Sequence, residues 1–198
     1  MALSNKKNDL SPANTKDRLL KEAAGLFMVH GYERTTMRNI ANATGIKLGS
    51  IAYYFKSKED ILYATMSAVI ESGEERALAT LRASDDVKNK LQSLIEVELD
   101  SFLNDTGAIV IKEWRSLRKK HRSLLIKHQQ VYETIWSDVL TECHSEGIIR
   151  SKPEIARRVL HGAFAWSESW NGMDREMTTR ELAGEIMKLI TCEEVPGA

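Results

Sequence analysis

The stretch TTMRNIANATGIKLGSIAYYF, from Thr35 to Phe55, holds the residues whose types and spacing could do chemistry. Counting from Met37, apolar or small residues fall where a helix-turn-helix needs them. Ile40 is expected inside, and Ala41 is small because a second helix crosses close by. Gly45 makes the turn with Ile46 just after it, and Ile51 and Tyr54 face back into a core. That packing leaves the outer face of the second short helix free to enter a DNA major groove roughly 12 Å wide. The same Ala-Gly-Ile spacing also serves a helical corner with no DNA role, so charge has to weigh between the two.

The chain of 198 residues has a formal net charge of zero. Residues 1 to 58 carry ten Lys or Arg against four acids, a balance of +6, and the remainder carries −6. A basic first third on an acidic body suits a polyanion partner and favours the DNA reading. Composition excludes much else. Hydrophobic residues at 42% and charged residues at 28% describe an ordinary globular protein. No apolar run approaches the roughly 20 residues that span a bilayer, and the polar start is not a secretory signal. Two cysteines, Cys143 and Cys192, make neither a disulfide framework nor a C-x-x-C zinc pattern, which fits a reducing cytoplasm and predicts no metal. No G-x-S-x-G elbow, P-loop, H-E-x-x-H or dinucleotide fingerprint is present, so an all-α enzyme has no motif to support it.

Helices must position these residues. Residues 13 to 152 lack proline, and apolar residues recur three and four apart, predicting an all-α fold of about nine helices. The first helix is expected from about Thr15 to His30, ended by Gly31. Short helices follow from Met37, capped by Thr36, and over roughly Lys47 to Tyr54. Ser57 caps a fourth helix running to about Arg82, with Asp60 in the place of a capping-box Glu. Val87 to Phe102 mark the next, and Val110, Trp114 and Leu117 a shorter one. Leu124 to Cys143 mark a long helix, Pro153 opens another, and Thr178 with Glu181 caps the last. Glu96, Glu98 and Asp100 read as the wet side of their helix, His121 and His128 as ordinary helix residues, and Cys143 as core. The expected division is a head over residues 1–58 and a body over 59–198.

The run GYERTTMRNIANATGIKLGSIAYYFKSKEDIL, from Gly31 to Leu62, resembles the DNA-binding signature of the TetR family of transcriptional repressors. The resemblance implies an N-terminal three-helix head and a larger body that binds a small-molecule effector and forms a homodimer on double-stranded operator DNA. It carries roles onto matching positions. Thr36, Tyr53 and Lys58 resemble residues that anchor on backbone phosphates. Base reading falls to Arg38, Lys47, Leu48, Gly49 and Ser50. Leu48 stands where a polar or basic residue is usual, and Ala52 and Tyr54 replace the more frequent Tyr and His, so the operator is expected to differ from better-known ones. The presence of Thr36, Tyr53 and Lys58 at the matching positions speaks against a helical interaction protein with a vestigial head.

A looser resemblance covers Glu113 to Trp170. Glu-Trp-Arg-Ser-Leu, the Tyr132-Glu133 pair, Glu-Gly-Ile-Ile-Arg and His-Gly-Ala-Phe-Ala-Trp follow in the order seen in regulators of fatty-acid and sterol-side-chain breakdown, which release DNA on binding acyl-CoA thioesters. It implies no cofactor but an acyl-CoA effector, in an apolar tunnel lined by Leu99, Phe102, Trp114, Val131, Ile135 and Phe164. Trp166 and Trp170 share a stripe with Val159 and Ala163 that is either ligand wall or core and dimer interface. Arg115, Arg118, Arg122, Arg157 or Arg158 could meet the CoA phosphates, against the plainer role of surface ion pairs. An aromatic or cationic drug-like effector is the rival, drawing on aromatic faces and acids such as Glu113 or Glu168. The last two helices stand where the family dimerises, which assigns Ile155, Val159, Ala163, Leu182, Ile186 and Leu189 to the interface.

Overall fold

The computed structural model describes residues 12–103, 106–171 and 177–192, with residues 12–14 and 168–171 described by backbone alone. Among these residues the fold is all-α. In chain order come α1 (Pro12–His30), α2 (Met37–Thr44), α3 (Leu48–Tyr54), α4 (Lys58–Arg82), α5 (Val87–Leu103) and α6 (Ile109–Lys112). A 3-10 turn at Trp114–Ser116 leads into α7 (Lys119–Ser145), α8 (Pro153–Asn171) and α9 (Thr179–Ile190).

Local chemistry sets most boundaries. Gly31 at φ 78° and Gly45 at φ 67° take the left-handed conformation that lets α1 and α2 end abruptly. Thr36 caps α2 in a full capping box with Asn39, and Thr178 caps α9 in another with Glu181. At α4 the Asp60 N–H donates to Ser57 Oγ at 3.1 Å, while the Asp60 carboxylate lies 3.6 Å from His121 Nε2. Asn89 N–H donates to Asp86 Oδ1 at 2.7 Å and so starts α5. Helix α1 begins at Pro12, three residues earlier than the periodicity predicts, because proline suits a first turn. Lys47 stays outside α3 as its extended N-cap.

The largest departure is at residues 109–117. Val110, Trp114 and Leu117 suggest one short helix, but the chain forms α6, breaks at Glu113 and resumes as the 3-10 turn. The break lets Glu113 reach the head, as described below.

Helix α5 is the axis of the body, touching α4, α7, α8 and α9, while α1 packs on α2, α4 and α6. Two apolar cores result. The first joins Leu19, Ala23 and Phe27 of α1 to Ile40, Ile51, Ile61, Leu62 and Met66, and closes with Ile109, Leu117 and Leu125. The second surrounds α5 with Trp136, Leu140 and Cys143 of α7, Leu160 and Phe164 of α8, and Ala183 of α9. Residue 58 is the first residue of α4, and the first core continues past it into α6 and α7. No helix among the described residues is long and apolar enough to cross a membrane.

Candidate nucleic-acid interface and effector cavity

In the head, apolar burial decides which face is left for a ligand. Ile40 and Ile51 are fully buried, which turns Arg38, Lys47, Leu48, Gly49, Ser50 and Tyr53 outward. Tyr53 is 86% exposed and Leu48 43% exposed on this outward face. A shallow groove brings Arg38 of α2 beside Gly45, Lys47 and Leu48. Thr36 accepts from the Asn39 N–H at 3.2 Å and remains exposed at the N-terminus of α2. Lys58 differs from the other five charged or polar positions expected to meet DNA. Its Nζ donates to the Tyr32 carbonyl at 2.6 Å and lies 4.0 Å over the Tyr32 ring. It therefore ties the start of α4 to the α1–α2 turn.

Two carboxylates join head to body. Glu113 Oε1 accepts the Tyr32 N–H at 3.0 Å, and its Oε2 accepts from Ser116 Oγ at 2.7 Å. Glu59, buried in the first turn of α4, accepts the Arg118 N–H at 2.9 Å and bonds the Arg118 guanidinium. His121 Nδ1 lies 2.8 Å from the same carboxylate, and the His121 ring stacks on Tyr63 at 4.8 Å. Burial pushes the Glu59 carboxyl up, but the Arg118 N–H, His121 and the Arg118 guanidinium outweigh it and hold the group below its usual range. His128 lies 3.3 Å from Glu71. The spacing of His121 and His128 thus serves contacts from α7 to carboxylates of α4.

In the body, a partly open cavity of about 70 Å³ lies between α4, α5, α6, α7 and α8. Val69, Ile70, Phe102, Val110 and Ile111 make its apolar side. Gly107 lies in its wall because the chain passes too near Ser101 for a side chain, a Cβ there falling 2.7 Å from the Ser101 carbonyl oxygen. The polar side is built on Glu98. Far from lying on a wet face, Glu98 is buried, because position 98 falls on the same stripe as Leu94, Ile95 and Phe102. Its Oε2 bonds the Tyr132 hydroxyl and accepts from Trp136 Nε1 at 3.2 Å. Its Oε1 lies 3.7 Å from Arg157 Nη2 and 3.9 Å from His161 Nδ1. Burial alone raises this carboxyl, but His161, Arg157 and Tyr132 together keep it below its ordinary value, so it is ionised. Burial and Glu98 push the Tyr132 phenol up, so it stays a donor. Arg157 forks onto Glu133 at 3.0 and 2.7 Å and stacks on Trp136 at 4.6 Å. Glu96 and Asp100 do sit toward solvent, Asp100 paired with Arg76 at 2.8 Å.

The expected tunnel residues separate. Phe102 lines the cavity, while Leu99, Ile135 and Phe164 lie in the core behind it. Trp114 packs on the head's core, Val131 is half exposed, Arg115 points to solvent and Arg118 is held by Glu59. None of these four is among the lining residues. Among the five cations considered, Arg157 alone reaches the cavity. The Trp170 side chain lies outside the described residues. Sequence reasoning missed the roles of Glu98, His161 and Glu59, and it offered Glu113 as an acid for a cationic effector, whereas Glu113 holds Tyr32 and Ser116 away from the cavity lining. A charged residue on an apolar stripe was the available signal for Glu98.

The outer face of α8 and α9 is apolar and uncovered. Ile155, Val159 and Trp166 follow one another along α8, Trp166 being 67% exposed, and Leu189 of α9 is 85% exposed. Ile155, Val159 and Leu189 share a groove with Cys192. Trp166 thus keeps company with the expected interface and not with the cavity. Ala163 is half-buried, and Leu182 and Ile186 turn toward the body's core.

An exposed recognition helix on a small head, coupled to a helical body with its own cavity, defines a ligand-responsive DNA-binding regulator. The family model of tetR-type bacterial regulatory proteins matches residues 19–65, and that of the tetracyclin repressor-like C-terminal domain matches residues 84–192. The chain belongs to the TetR family, whose members bind operator DNA as dimers, and it is a TetR-type transcriptional repressor. Among solved structures it is similar to the superantigen PfiT, at 36% identity over 93% of this chain and 100% of that one, with a TM-score of 0.80. The transcriptional repressor KstR2 of Mycolicibacterium smegmatis is 26% identical over 142 residues, 70% of this chain and 69% of that protein. The fatty acid metabolism regulator protein of Bacillus subtilis is 23% identical over 179 residues, 87% of this chain and 92% of that one. The crystal structure of FadR from Bacillus subtilis in complex with stearoyl-CoA shares the fold, with a TM-score of 0.73 at 24% identity over 87% and 96% of the two chains.

Proposed function

We propose that this repressor responds to an acyl-CoA thioester bound in the body cavity. The observation that carries the reading is the cavity's division into an apolar side, Val69 to Ile111, and a polar side centred on Glu98 and Arg157. An acyl chain suits the first and a polar thioester end the second. The relatives named for fatty-acid metabolism, and the FadR complex with stearoyl-CoA, support the same class.

The protein acts by binding and not by catalysis, in the cytoplasm beside its DNA. Arg38, Lys47, Leu48, Gly49 and Ser50 read bases, and Thr36 and Tyr53 hold phosphates. Lys58 contributes chiefly by fixing α4 to the head, with Nζ on the Tyr32 carbonyl. Two heads about 34–36 Å apart, joined through Ile155, Val159, Trp166 and Leu189, read an inverted repeat. An effector that prefers another head spacing releases the DNA. Coupling runs through α6, because Val110 and Ile111 line the cavity while Glu113, two residues on, grips the Tyr32 N–H.

Tryptophan fluorescence tests the effector class. Trp136 stacks beneath Arg157 at the cavity wall and serves as the reporter. Saturable quenching by acyl-CoAs at micromolar concentration, absent with CoA alone, is expected. No response to any acyl-CoA would remove this effector class and leave the DNA-binding repressor standing.

A further inference from the structure

We infer that the cavity recognises its effector through a neutral carbonyl oxygen received by Arg157, and that it rejects the corresponding free carboxylate. The inference rests on the reading of this cavity as the effector site and adds the chemistry by which it chooses.

The polar wall holds a buried donor with no acceptor among the described residues. Glu98 Oε2 is taken by Tyr132 and Trp136, and its Oε1 faces Arg157 and His161. Arg157 gives Nε and Nη2 to Glu133. Its Nη1 is buried with no hydrogen-bond partner among the described residues, although Arg157 lines the cavity. A buried N–H without an acceptor is destabilising, so a ligand that brings an acceptor gains more than the bond's own worth.

Charge then decides which acceptor. Arg157 already stands against two carboxylates, Glu98 and Glu133, so the wall holds an excess of negative charge before a ligand arrives. A free carboxylate would add a third anion beside a guanidinium that two others have neutralised. A cationic group would be drawn by that charge but would leave the buried Arg157 Nη1 donor without an acceptor. A thioester, ester or amide carbonyl supplies the lone pair with no net charge, and its chain lies against Ile70, Phe102, Val110 and Ile111. Specificity of this kind is strong because the wrong ligand leaves a buried polar group unpaired.

The test uses the full chain and matched probes read by tryptophan fluorescence or calorimetry. S-octanoyl-N-acetylcysteamine carries the thioester without phosphates; S-octyl-N-acetylcysteamine replaces its carbonyl by a methylene; octanoate carries the free acid; octanoyl-CoA tests the effector class. The thioester is expected to bind at least tenfold tighter than both the thioether and octanoate. Arg157→Lys keeps a positive charge but loses the planar fork, and the preference for thioester over thioether should vanish in it. If that variant fails to fold, the wild-type comparison still decides. Equal binding of thioester and thioether, or octanoate as tight as the thioester, overturns the inference even where octanoyl-CoA binds. Failure of octanoyl-CoA and both neutral probes removes the acyl effector reading and this inference with it.

Discussion

The head and the body of this repressor keep the functional groups we propose for them in opposite states. In the head they are exposed and drawn from one continuous stretch, with Tyr53 projecting from a helix whose other face is sealed by the buried Ile51. In the body they are buried and assembled from afar, with Glu98 bonded to Tyr132 and Trp136 at separations of 34 and 38 residues. The difference follows from the ligands. DNA is a surface that arrives from outside and needs only presented donors, whereas a small effector has to be enclosed. A presented residue can be lost with little harm to the fold. An enclosed charge cannot, because its partners are left stranded.

The largest effect is therefore expected in the body. Glu98→Gln removes the charge facing Arg157 and should lower unfolding free energy by about 3 kcal/mol, measured by urea titration. A loss under about 0.5 kcal/mol, the range of an ordinary surface change, would erase the contrast between the regions. Next comes the open face of α8 and α9. Val159→Asp or Leu189→Asp should weaken self-association by about 2 kcal/mol, roughly thirtyfold, as seen by sedimentation, while the monomer's helicity is kept. Smaller again is Tyr53→Phe, which should leave stability unchanged and weaken binding to every duplex alike by about 1 kcal/mol. Lys47→Ala in the same assay should shift sequence preference and reduce the salt slope by about one.

The smallest expected effect is on pH dependence. Glu98 and Glu59 are both held below their usual range in the folded protein. Their contribution is complete above the unfolded glutamate value of about 4.3 and is lost as pH falls through the lower folded values. Thermal melts should thus show stability falling below about pH 4, and Glu98→Gln should fall less steeply than wild type.

The same contrast explains what was legible in the sequence. Ile40, Gly45 and Ile51 sit within a few residues of the groups they position, so spacing places the two short helices, while basic charge and the family resemblance supply the DNA reading. Thr36, Ser57 and Thr178 announce their helices in the same local way. The body's site is written at long range. Helical periodicity gives the stripes of α5, α7 and α8, yet not which stripes meet. Tyr132 and Arg157 lie on the inward faces of their helices beside Trp136 and Leu160, as Glu98 does on α5. A buried carboxylate is costly without partners, and those of Glu98 lie tens of residues away, so the local sequence puts it on the solvent side. The sequence leaves Trp166 open between ligand wall and interface; in the fold its phase on α8 matches Ile155 and Val159 on the uncovered face. Glu113 broke an expected helix for a contact 81 residues away.

The central claim is that the cavity and the head are coupled. Anisotropy of a labelled duplex, first selected from a random pool by the full chain, would be followed as octanoyl-CoA is added. The account predicts an inverted repeat whose complex dissociates at micromolar thioester and persists with CoA alone. A duplex that stays bound while tryptophan fluorescence reports a filled cavity would contradict it.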